Sequence, residues 1–341
     1  MALRLADKWV WDFWLAHDAG CHHVFYLQAP RALGDPDLRH HNATVGHAVS
    51  TDLTDWQTLP DALHPGPSGS WDDLAIWTGS VIQHRGLWHM LYTGIGTAEA
   101  GLVQRIGLAV STDLTHWQKD PRNPVLEADP RWYETRAHAG SRQESWRDPY
   151  LVRVAEDGLF HALLSARVPT GPTDGAGVVA HAQSADLISW EIGPPITQPG
   201  EVAQAEVPQL VRIGDGYKLL VSCHDKDHSL LRRERLREPG QTGTFALSSA
   251  SPFGPFQFPS RPIRTAGSQP GIGYAGKLVK LGPHDTRFMC FILENNGEFV
   301  GELSDPLRLH RRDTNTVTAD AKPVGSVGTT AHQSTHCQVA G

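Results

Sequence analysis

The sequence predicts an all-β protein that folds as a single five-bladed β-propeller. Three observations predict it: a short motif that recurs along the chain, paired apolar segments before each copy, and abundant glycine and proline. The chain has 341 residues with 33 Gly and 24 Pro, which indicates many turns and few long helices. Hydrophobic residues make up 40% and charged residues 20%, a composition typical of a folded chain.

The recurring motif reads Ser-Thr-Asp-Leu-Thr in its first two copies and is followed shortly by Trp. The copies, two strong and two weaker, begin at Ser50, Ser111, Ser184 and Ser248. A Ser or Asp side chain in such a motif bonds the backbone of a tight turn. We interpret the Trp as an anchor of the outer strand; it stands at Trp56, Trp117 and Trp190. The copies recur roughly every 60–75 residues, which leaves room for about four short strands per unit.

Two apolar segments joined by a short polar turn precede each copy, as in residues 80–93, and this pattern is typical of a β-hairpin. Five such units fit the chain, and they start near Trp11, Trp77, Trp146, Ala205 and Tyr274. Residues 1–312 are therefore predicted to form the propeller, and residues 313–341 a closing strand, a polar tail or both. A β-sandwich is the alternative fold, but it does not require a repeat at this spacing.

Charge and composition exclude several classes of protein. The formal net charge of −7 disfavours a general nucleic-acid binder, and no stretch of about 18 apolar residues predicts a membrane span. The first residues lack an apolar signal segment, so a cytoplasmic location is expected. Four cysteines lie far apart with no paired motif, and we predict that they are mostly reduced; they are Cys21, Cys223, Cys290 and Cys337.

Three predicted blades carry an acid at the start of their first strand: Asp12, Asp148 and Glu206. First strands line the central channel of a propeller, so residues at one position in several blades converge in space. One such acid would be structural more often than not, whereas three at one position predict a catalytic site. Two carboxylates must flank a glycosidic bond to cleave it. Crowding raises the pKa of at least one acid, which can then donate a proton.

The motifs Trp11-Asp12, Arg147-Asp148-Pro149 and Ala205-Glu206, in this order, resemble those of glycoside hydrolase families 32 and 68, the invertases, levanases and levansucrases. Residues 25–30 and 77–80 are similar to two further motifs of these families. The resemblance implies activity on β-fructofuranosides such as sucrose or fructo-oligosaccharides by a retaining double displacement. It also implies roles: Asp12 as nucleophile, Glu206 as acid and base, and Asp148 as the residue that holds ring hydroxyls and stabilises positive charge.

Residues near these acids are candidate substrate contacts. The candidates are Trp11, Trp14, Gln28, Trp77, Thr78 and Arg147. Aromatic rings stack on sugar faces, although Trp14 and Trp77 could equally be packing residues, and Gln28 either bonds a hydroxyl or ends a strand. Arg147 either keeps Asp148 ionised or points into the blade. Residues 71–73, Trp-Asp-Asp, line the rim or, more simply, form a turn.

The predicted partner is a carbohydrate, with no nucleic acid, membrane, cofactor or metal ion. A metal site at residues 224–228, His-Asp-Lys-Asp-His, is conceivable, but the spacing matches no zinc motif and favours a surface loop. His224 alternatively approaches the leaving group.

Two other functions stay open. A likeness to glycoside hydrolase family 43 would imply an arabinofuranosidase or xylosidase; in an inverting member Asp12 would be a general base. The other is a non-catalytic carbohydrate-binding propeller. Hydrolysis against transfer, linkage preference and oligomeric state stay open as well.

Overall fold

A computed structural model describes residues 3–139, 142–155, 157–266, 272–282, 285–311, 317–320 and 337. The strands, β1 to β21 in chain order, are Lys8–Asp18, Cys21–Pro30, Thr44–Ser50, Gln57–Leu63, Ala75–His84, Leu87–Ile95, Gln104–Ser111, Gln118–Lys119, Trp146–Arg153, Phe160–Arg167, Gly177–Ser184, Glu191–Gly193, Glu206–Ile213, Gly216–Cys223, Gly243–Ser249, Arg264–Ala266, Ile272–Lys280, Thr286–Asn295, Glu298–Leu303, Leu307–Arg311 and Val317–Asp320. The α-helices are short: α1, Arg136–Ala139, and α2, Leu230–Leu236. The 3₁₀ helices are Arg31–Leu33, Pro36–Asn42, Thr173–Gly175 and Asp225–Asp227.

Within the described ranges the strands form five sheets, which are the five predicted blades. Blades one to three are four-stranded meanders, β1–β4, β5–β8 and β9–β12, and blade four is β13–β15. In blade five, β17 pairs with β18, which pairs with both β19 and β20; β21 then links β20 to β16. The fold class predicted from the sequence, an all-β five-bladed propeller, is confirmed.

The first strands of the five blades surround a common axis. Strand β1 contacts β5, β5 contacts β9, β9 contacts β13, β13 contacts β17, and β17 contacts β1 again, which closes the ring. Separate hydrophobic clusters fill the spaces between neighbouring blades, as between blades three and four, where Leu163 and Val179 pack with Leu219 and Phe245. Every blade is thus held by its two neighbours, and the inner strands line one channel.

The recurring Ser-x-Asp-Leu motif forms the same turn in blades one to three. In blade one the Ser50 hydroxyl accepts the N–H of Leu53, and the carboxylate of Asp52 accepts the N–H groups of Thr54 and Asp55. The leucine has φ of +65° in the first two copies and +67° in the third, and it is buried in all of them. Polar side chains that bond the turn's backbone stabilise this left-handed conformation. The Trp after each of these turns packs against a hydrophobic cluster.

The cysteine prediction is corrected in part. Cys21, at the start of β2, forms a disulfide with Cys337, and their Cα atoms lie 5.8 Å apart. Cys223 and Cys290 are free, as predicted, and both are buried. The pair was missed because 316 residues separate the two cysteines, and sequence spacing holds no sign of a contact that only blade closure creates.

The predicted domain boundary between residues 312 and 313 lies outside the described residues, as do most of residues 313–341. Of the C-terminal segment the structure describes β21, which adds a strand to blade five, and Cys337. No helix in the described part of the chain is long and apolar enough to cross a membrane.

Candidate active site

The inner strand of every blade is interrupted by a β-bulge at the same level. The register with the second strand shifts at Asp12, Thr78, Asp148, Val207 and Ala275. The last three have φ values of +57°, +52° and +49°, an uncommon conformation for residues other than glycine. A bulge re-aims a side chain that an unbroken strand would direct elsewhere. The repeated bulge therefore explains how residues far apart in the chain reach the channel together.

A cavity of about 580 Å³ opens at this level, and Asp12, Asp148 and Glu206 all line it. Four of the six predicted substrate contacts line it as well: Trp11, Trp77, Thr78 and Arg147. These side chains, far apart in the sequence, therefore lie together in the structure.

Asp12 lies half-buried in the cavity, with its Oδ2 2.6 Å from the Thr78 hydroxyl that donates to it. Burial raises the pKa of Asp12 to about 7, and the charges of Asp148 and Glu206 act in the same direction. The hydrogen bond from Thr78 and the charge of Lys277 oppose the increase. Asp12 is consequently an acid that retains a proton close to neutral pH.

Asp148 is the most enclosed of the three acids, with 4% of its surface exposed. Its Oδ2 accepts hydrogen bonds from the Ser165 hydroxyl at 2.8 Å and from the Val207 N–H at 3.2 Å. Burial raises the pKa of Asp148; the Arg147 charge opposes this and the Glu206 charge adds to it. Residues of two other strands thus fix the orientation of this carboxylate.

Glu206 is held by residues from blades three and five. Arg147 Nη2 donates to Oε1 at 2.6 Å, and the Tyr274 hydroxyl donates to Oε2 at 2.5 Å. Arg147 is itself held by Ser145 and Gln204, at 2.8 and 3.1 Å. Burial alone would raise the pKa of Glu206, but the charge of Arg147 and the hydrogen bond from Tyr274 bring it below its ordinary value.

This order of acidities differs from the sequence-based expectation. Burial and, after it, the neighbouring carboxylates raise the pKa values of Asp12 and Asp148, but the pKa of Glu206, the predicted proton donor, is lowered. The reason is the guanidinium of Arg147, which favours the ionised form of the carboxylate that it touches. That guanidinium points into the site and not into the blade.

Aromatic side chains form one wall of the cavity. The indole N–H of Trp77 donates a hydrogen bond to the carbonyl oxygen of His40 at 2.6 Å, which fixes the ring in the cavity wall. Trp11 is covered by the guanidinium of Arg39, 5.6 Å from its ring centre. Arg39 and His40 belong to the 3₁₀ helix between β2 and β3, so this connection forms part of the wall.

The structure corrects the prediction for Trp14 and Gln28, which do not line the cavity. Trp14 stands two residues beyond the Asp12 bulge and stacks on Phe25, with ring centres 6.1 Å apart. Gln28 is 2% exposed on the second strand, where its amide donates to Thr44 and lies over Gly46. The bulge directs Trp14 away from this cavity, and the depth of the second strand directs Gln28 into packing.

Other predicted features also have definite places. Asp72 is buried and accepts bonds from Lys119 and Tyr92, and Asp73 caps the turn at Thr97, so residues 71–73 form a turn. His228 contacts Cys223, Arg232 and the carbonyl of Gln241, which ties it to packing and not to the cavity. In the part of the chain that the structure describes, no three metal-ligating side chains cluster.

Sequence reasoning missed the role of Tyr274 and left that of His224 open. Tyr274 stands directly before the bulge of blade five, the position that Glu206 has in blade four, so the repeat held the signal although this residue is not acidic. His224 lines the cavity and stacks on Tyr274 with ring centres 4.7 Å apart. Arg39 and His40 carried no signal, because their connection occurs in one blade only.

The channel continues beyond the acids. A second cavity of about 220 Å³ is lined by residues further along all five inner strands, among them Trp14, Ser80, Tyr150, Gln209 and Lys277. The three acids line the larger cavity, and the smaller cavity lies further along the same inner strands.

Comparison with known proteins places the chain in a family. The N-terminal domain of the glycosyl hydrolases family 32 matches residues 14–237, which include Asp148 and Glu206 and begin two residues after Asp12. Insoluble isoenzyme 7 of β-fructofuranosidase from Oryza sativa subsp. indica is 30% identical over 202 residues, 58% of this chain and 30% of that protein. The cell wall isozyme of Pisum sativum is 29% identical over 175 residues, 50% of this chain and 28% of that protein.

Solved structures share the fold. Inulosucrase from Halalkalicoccus jeotgali bound to kestose superposes with a TM-score of 0.76 at 20% identity, over 92% of this chain and 87% of that one. The β-fructofuranosidase catalytic domain of Microbacterium saccharophilum K-1 gives 0.71 at 17% identity, over 94% and 82%. The matched residues span about three-tenths of the plant relatives' length. On the family match, which covers more than half of its residues, this chain belongs to glycosyl hydrolase family 32.

Proposed function

We propose that this chain is a retaining glycosidase that acts on β-fructofuranosides such as sucrose or fructo-oligosaccharides. One observation carries the proposal: bulges at one level of the inner strands bring Asp12, Asp148 and Glu206 into a single cavity. Family membership and the β-fructofuranosidase names of the plant relatives support the choice of sugar. The aromatic wall of Trp11 and Trp77 supplies apolar surface for a sugar ring.

In the first step an ionised Asp12 attacks the anomeric carbon of the fructosyl unit. A bond forms between a carboxylate oxygen of Asp12 and that carbon, and the bond to the leaving oxygen breaks as Glu206 gives it a proton. Asp148, which Ser165 and Val207 hold in place, accepts hydrogen bonds from hydroxyl groups of the sugar ring and stabilises the positive charge of the transition state.

In the second step the Glu206 carboxylate takes a proton from water, whose oxygen attacks the same carbon and releases Asp12. An alcohol group of another sugar that replaces the water gives transfer instead of hydrolysis. Hydrolysis and transfer use the same three acids, so the ratio of their rates depends on whether water or a sugar occupies the larger cavity.

The proton balance of the site fits this cycle. Catalysis requires one proton on Glu206 and an ionised Asp12. In the free protein Asp12 binds a proton up to about pH 7 whereas Glu206 is acidic, so the proton occupies Asp12 more than Glu206. The reactive form, with the proton on Glu206 and Asp12 ionised, is then the less populated of two forms that hold the same number of protons. A substrate that draws Arg147 away from Glu206 would increase the population of this reactive form.

The test is a comparison of sugars: sucrose, a short inulin, and the nitrophenyl glycosides of arabinofuranose and xylose. We expect fructose from the first two and no nitrophenol. Nitrophenol alone would replace the proposal with the arabinofuranosidase or xylosidase alternative, and no product from any sugar would favour a binding protein. Methanol as acceptor reports stereochemistry, because retention yields methyl β-fructofuranoside.

Two variants then test the roles. Asp12→Ala and Glu206→Ala are each expected to lower kcat by about 10⁴-fold or more. Azide attacks the fructosyl-enzyme without a general base, so with a fructoside whose leaving group needs no protonation it should restore part of the rate of Glu206→Ala and yield an azido sugar of retained configuration. A rate within a factor of two of wild type in either variant removes that residue from the mechanism.

A further inference from the structure

Lys277 is a buried ammonium that the proposed reaction does not use. It lies on β17 of blade five, has 5% of its surface exposed, and lines the smaller cavity. Burial lowers its pKa to about 8, and the charges of Asp12 and Asp148 act against this decrease. A lysine in such a place loses hydration, so it requires compensating partners.

The hydrogen-bond partners of Lys277 are backbone carbonyls of another blade. Its Nζ lies 3.1 Å from the carbonyl oxygen of Val207 and 3.2 Å from that of Pro208. These two residues form the bulge that directly follows Glu206 in β13. Val207 is β-branched and has a φ of +52°, so its backbone is strained and persists only where the surroundings hold it.

The same bulge serves two of the acids. The peptide N–H of Val207 donates to Asp148 at 3.2 Å and to the Ser165 hydroxyl at 3.1 Å, and Glu206 is the residue before it. A shift of this bulge would therefore move Glu206 and remove a donor from Asp148 at once. Lys277 holds the carbonyl oxygens of the next two peptide groups, so its two contacts oppose that shift.

Strand β17 reaches Glu206 from two directions. Its own bulge lies between Tyr274 and Lys277, so Tyr274 turns toward the larger cavity and donates to Glu206 while Lys277 turns toward the smaller. The remaining titratable groups that face Lys277 come from its own strand and from neighbouring strands. They are Asp12, Asp148, Tyr150 with its ring centre 5.8 Å from Nζ, and, around the smaller cavity, His17, His22 and Lys280.

We propose that Lys277 is a positioning residue for the glycosidase reaction: its ammonium clamps the blade-four bulge behind Glu206 and faces Asp12 and Asp148 as a counter-charge. The inference rests on the proposed function. It assigns to the buried lysine the task of keeping the three acids in register, although Lys277 touches no substrate.

Three variants distinguish the effect of the positive charge of Lys277 from the effect of its hydrogen bonds to the bulge. Lys277→Met fills a similar volume without donor or charge, Lys277→Gln keeps an N–H donor without charge, and Lys280→Met is a control at an exposed lysine of the same strand. We expect Lys277→Met to lower kcat on sucrose by about 100-fold, as for a displacement of about 1 Å in a catalytic group, with little change in KM. Lys277→Gln should recover part of this loss, and Lys280→Met should match wild type.

The pH profile distinguishes a positioning role from a merely structural one. The ammonium lowers the pKa of Asp12, so its loss raises that pKa and moves the alkaline limb of kcat/KM to higher pH in both Lys277 variants. Wild-type kcat in Lys277→Met, equal kcat in the Met and Gln variants, or an unmoved limb would each overturn the proposal.

A second readout needs no substrate. The ¹³C carboxyl resonance of Asp12, assigned with Asp12→Asn, is titrated in wild type, Lys277→Gln and Lys280→Met. It should titrate at higher pH in Lys277→Gln only. If wild type cleaves no fructoside but this shift occurs, the proposed function fails and the placement of Lys277 stands; an unshifted titration refutes the placement whatever the activity. If Lys277→Met does not fold, the Gln variant decides by both readouts.

Discussion

Thr78 Oγ1 lies 2.6 Å from Asp12 Oδ2, so the bulge of blade two donates a hydrogen bond to the acid at the bulge of blade one. This hydrogen bond opposes the burial and the neighbouring carboxylates that raise the pKa of Asp12. The contact between the two blades therefore influences how easily the proposed nucleophile ionises.

Thr78→Val keeps the shape of the side chain and removes the hydroxyl. Asp12 then ionises less readily, and we expect kcat/KM on sucrose to fall by about 10- to 100-fold, because a hydrogen bond to a charged group contributes about 1.5–3 kcal/mol. Steady-state kinetics at several pH values measure this. Thr115→Val, at an outer turn of blade two, is the matched control. Equal rates in the two variants would contradict the role of the Thr78 hydroxyl.

The activity of the wild-type protein should show a bell-shaped dependence on pH. The pKa of Asp12 is raised to about 7 and that of Glu206 is lowered, so between these values the pair holds one proton. Above about pH 7 that proton leaves and Glu206 cannot protonate the leaving oxygen; at acid pH a second proton binds and Asp12 cannot attack. The measurement is kcat/KM from pH 3 to about 9. If kcat/KM still increased with pH above about pH 7, the acids would not act as described.

Asp12→Asn should stabilise the fold while it abolishes activity. The pKa of Asp12 is raised from 3.8 to about 7, so the folded state binds this proton more tightly than the unfolded state. Stability is therefore lost as pH rises from about 4 to about 7, and an amide avoids that loss. We expect a gain of about 1–3 kcal/mol in unfolding free energy at pH 8 relative to pH 4. Urea unfolding at both pH values measures it.

Asp55→Asn is the control for this prediction, since Asp55 is exposed at an outer turn. Its unfolding free energy should differ from that of wild type by the same amount at pH 4 and pH 8. A pH-independent difference in Asp12→Asn as well would mean that Asp12 ionises normally in the folded protein.

Cys21→Ser should lower stability and leave catalysis unchanged. The Cys21–Cys337 disulfide closes a very long loop, and loss of such a crosslink typically costs about 2–4 kcal/mol. Cys21 does not line the cavity, so kcat is expected to match wild type. Thermal unfolding with and without reductant measures the effect: reductant should lower Tm in wild type only. Four reactive thiols in the unreduced, denatured protein, instead of those of Cys223 and Cys290 alone, would disprove the crosslink.

The blade architecture could be predicted from sequence because its signals are local. The turn of Ser50, Asp52 and Leu53 is held by hydrogen bonds between residues two or three apart, so the motif specifies it wherever it recurs. Counting repeats then placed Asp12, Asp148 and Glu206 at one level. The places of Trp14 and Gln28 could not be predicted. The direction of a side chain near a bulge, such as Trp14, does not follow the alternation of a regular strand, and Gln28 is buried on the second strand.

The sequence by itself thus determined the propeller and the convergence of its acids, because both follow from repetition. Only the tertiary structure decided which acid carries the proton. Arg147 of blade three and Tyr274 of blade five meet at Glu206 and stabilise its charge. At Asp12, burial and the neighbouring carboxylates outweigh the hydrogen bond from Thr78 and the charge of Lys277. Electrostatic energies depend on distances between residues remote in sequence, and those distances exist only once the ring of blades has closed.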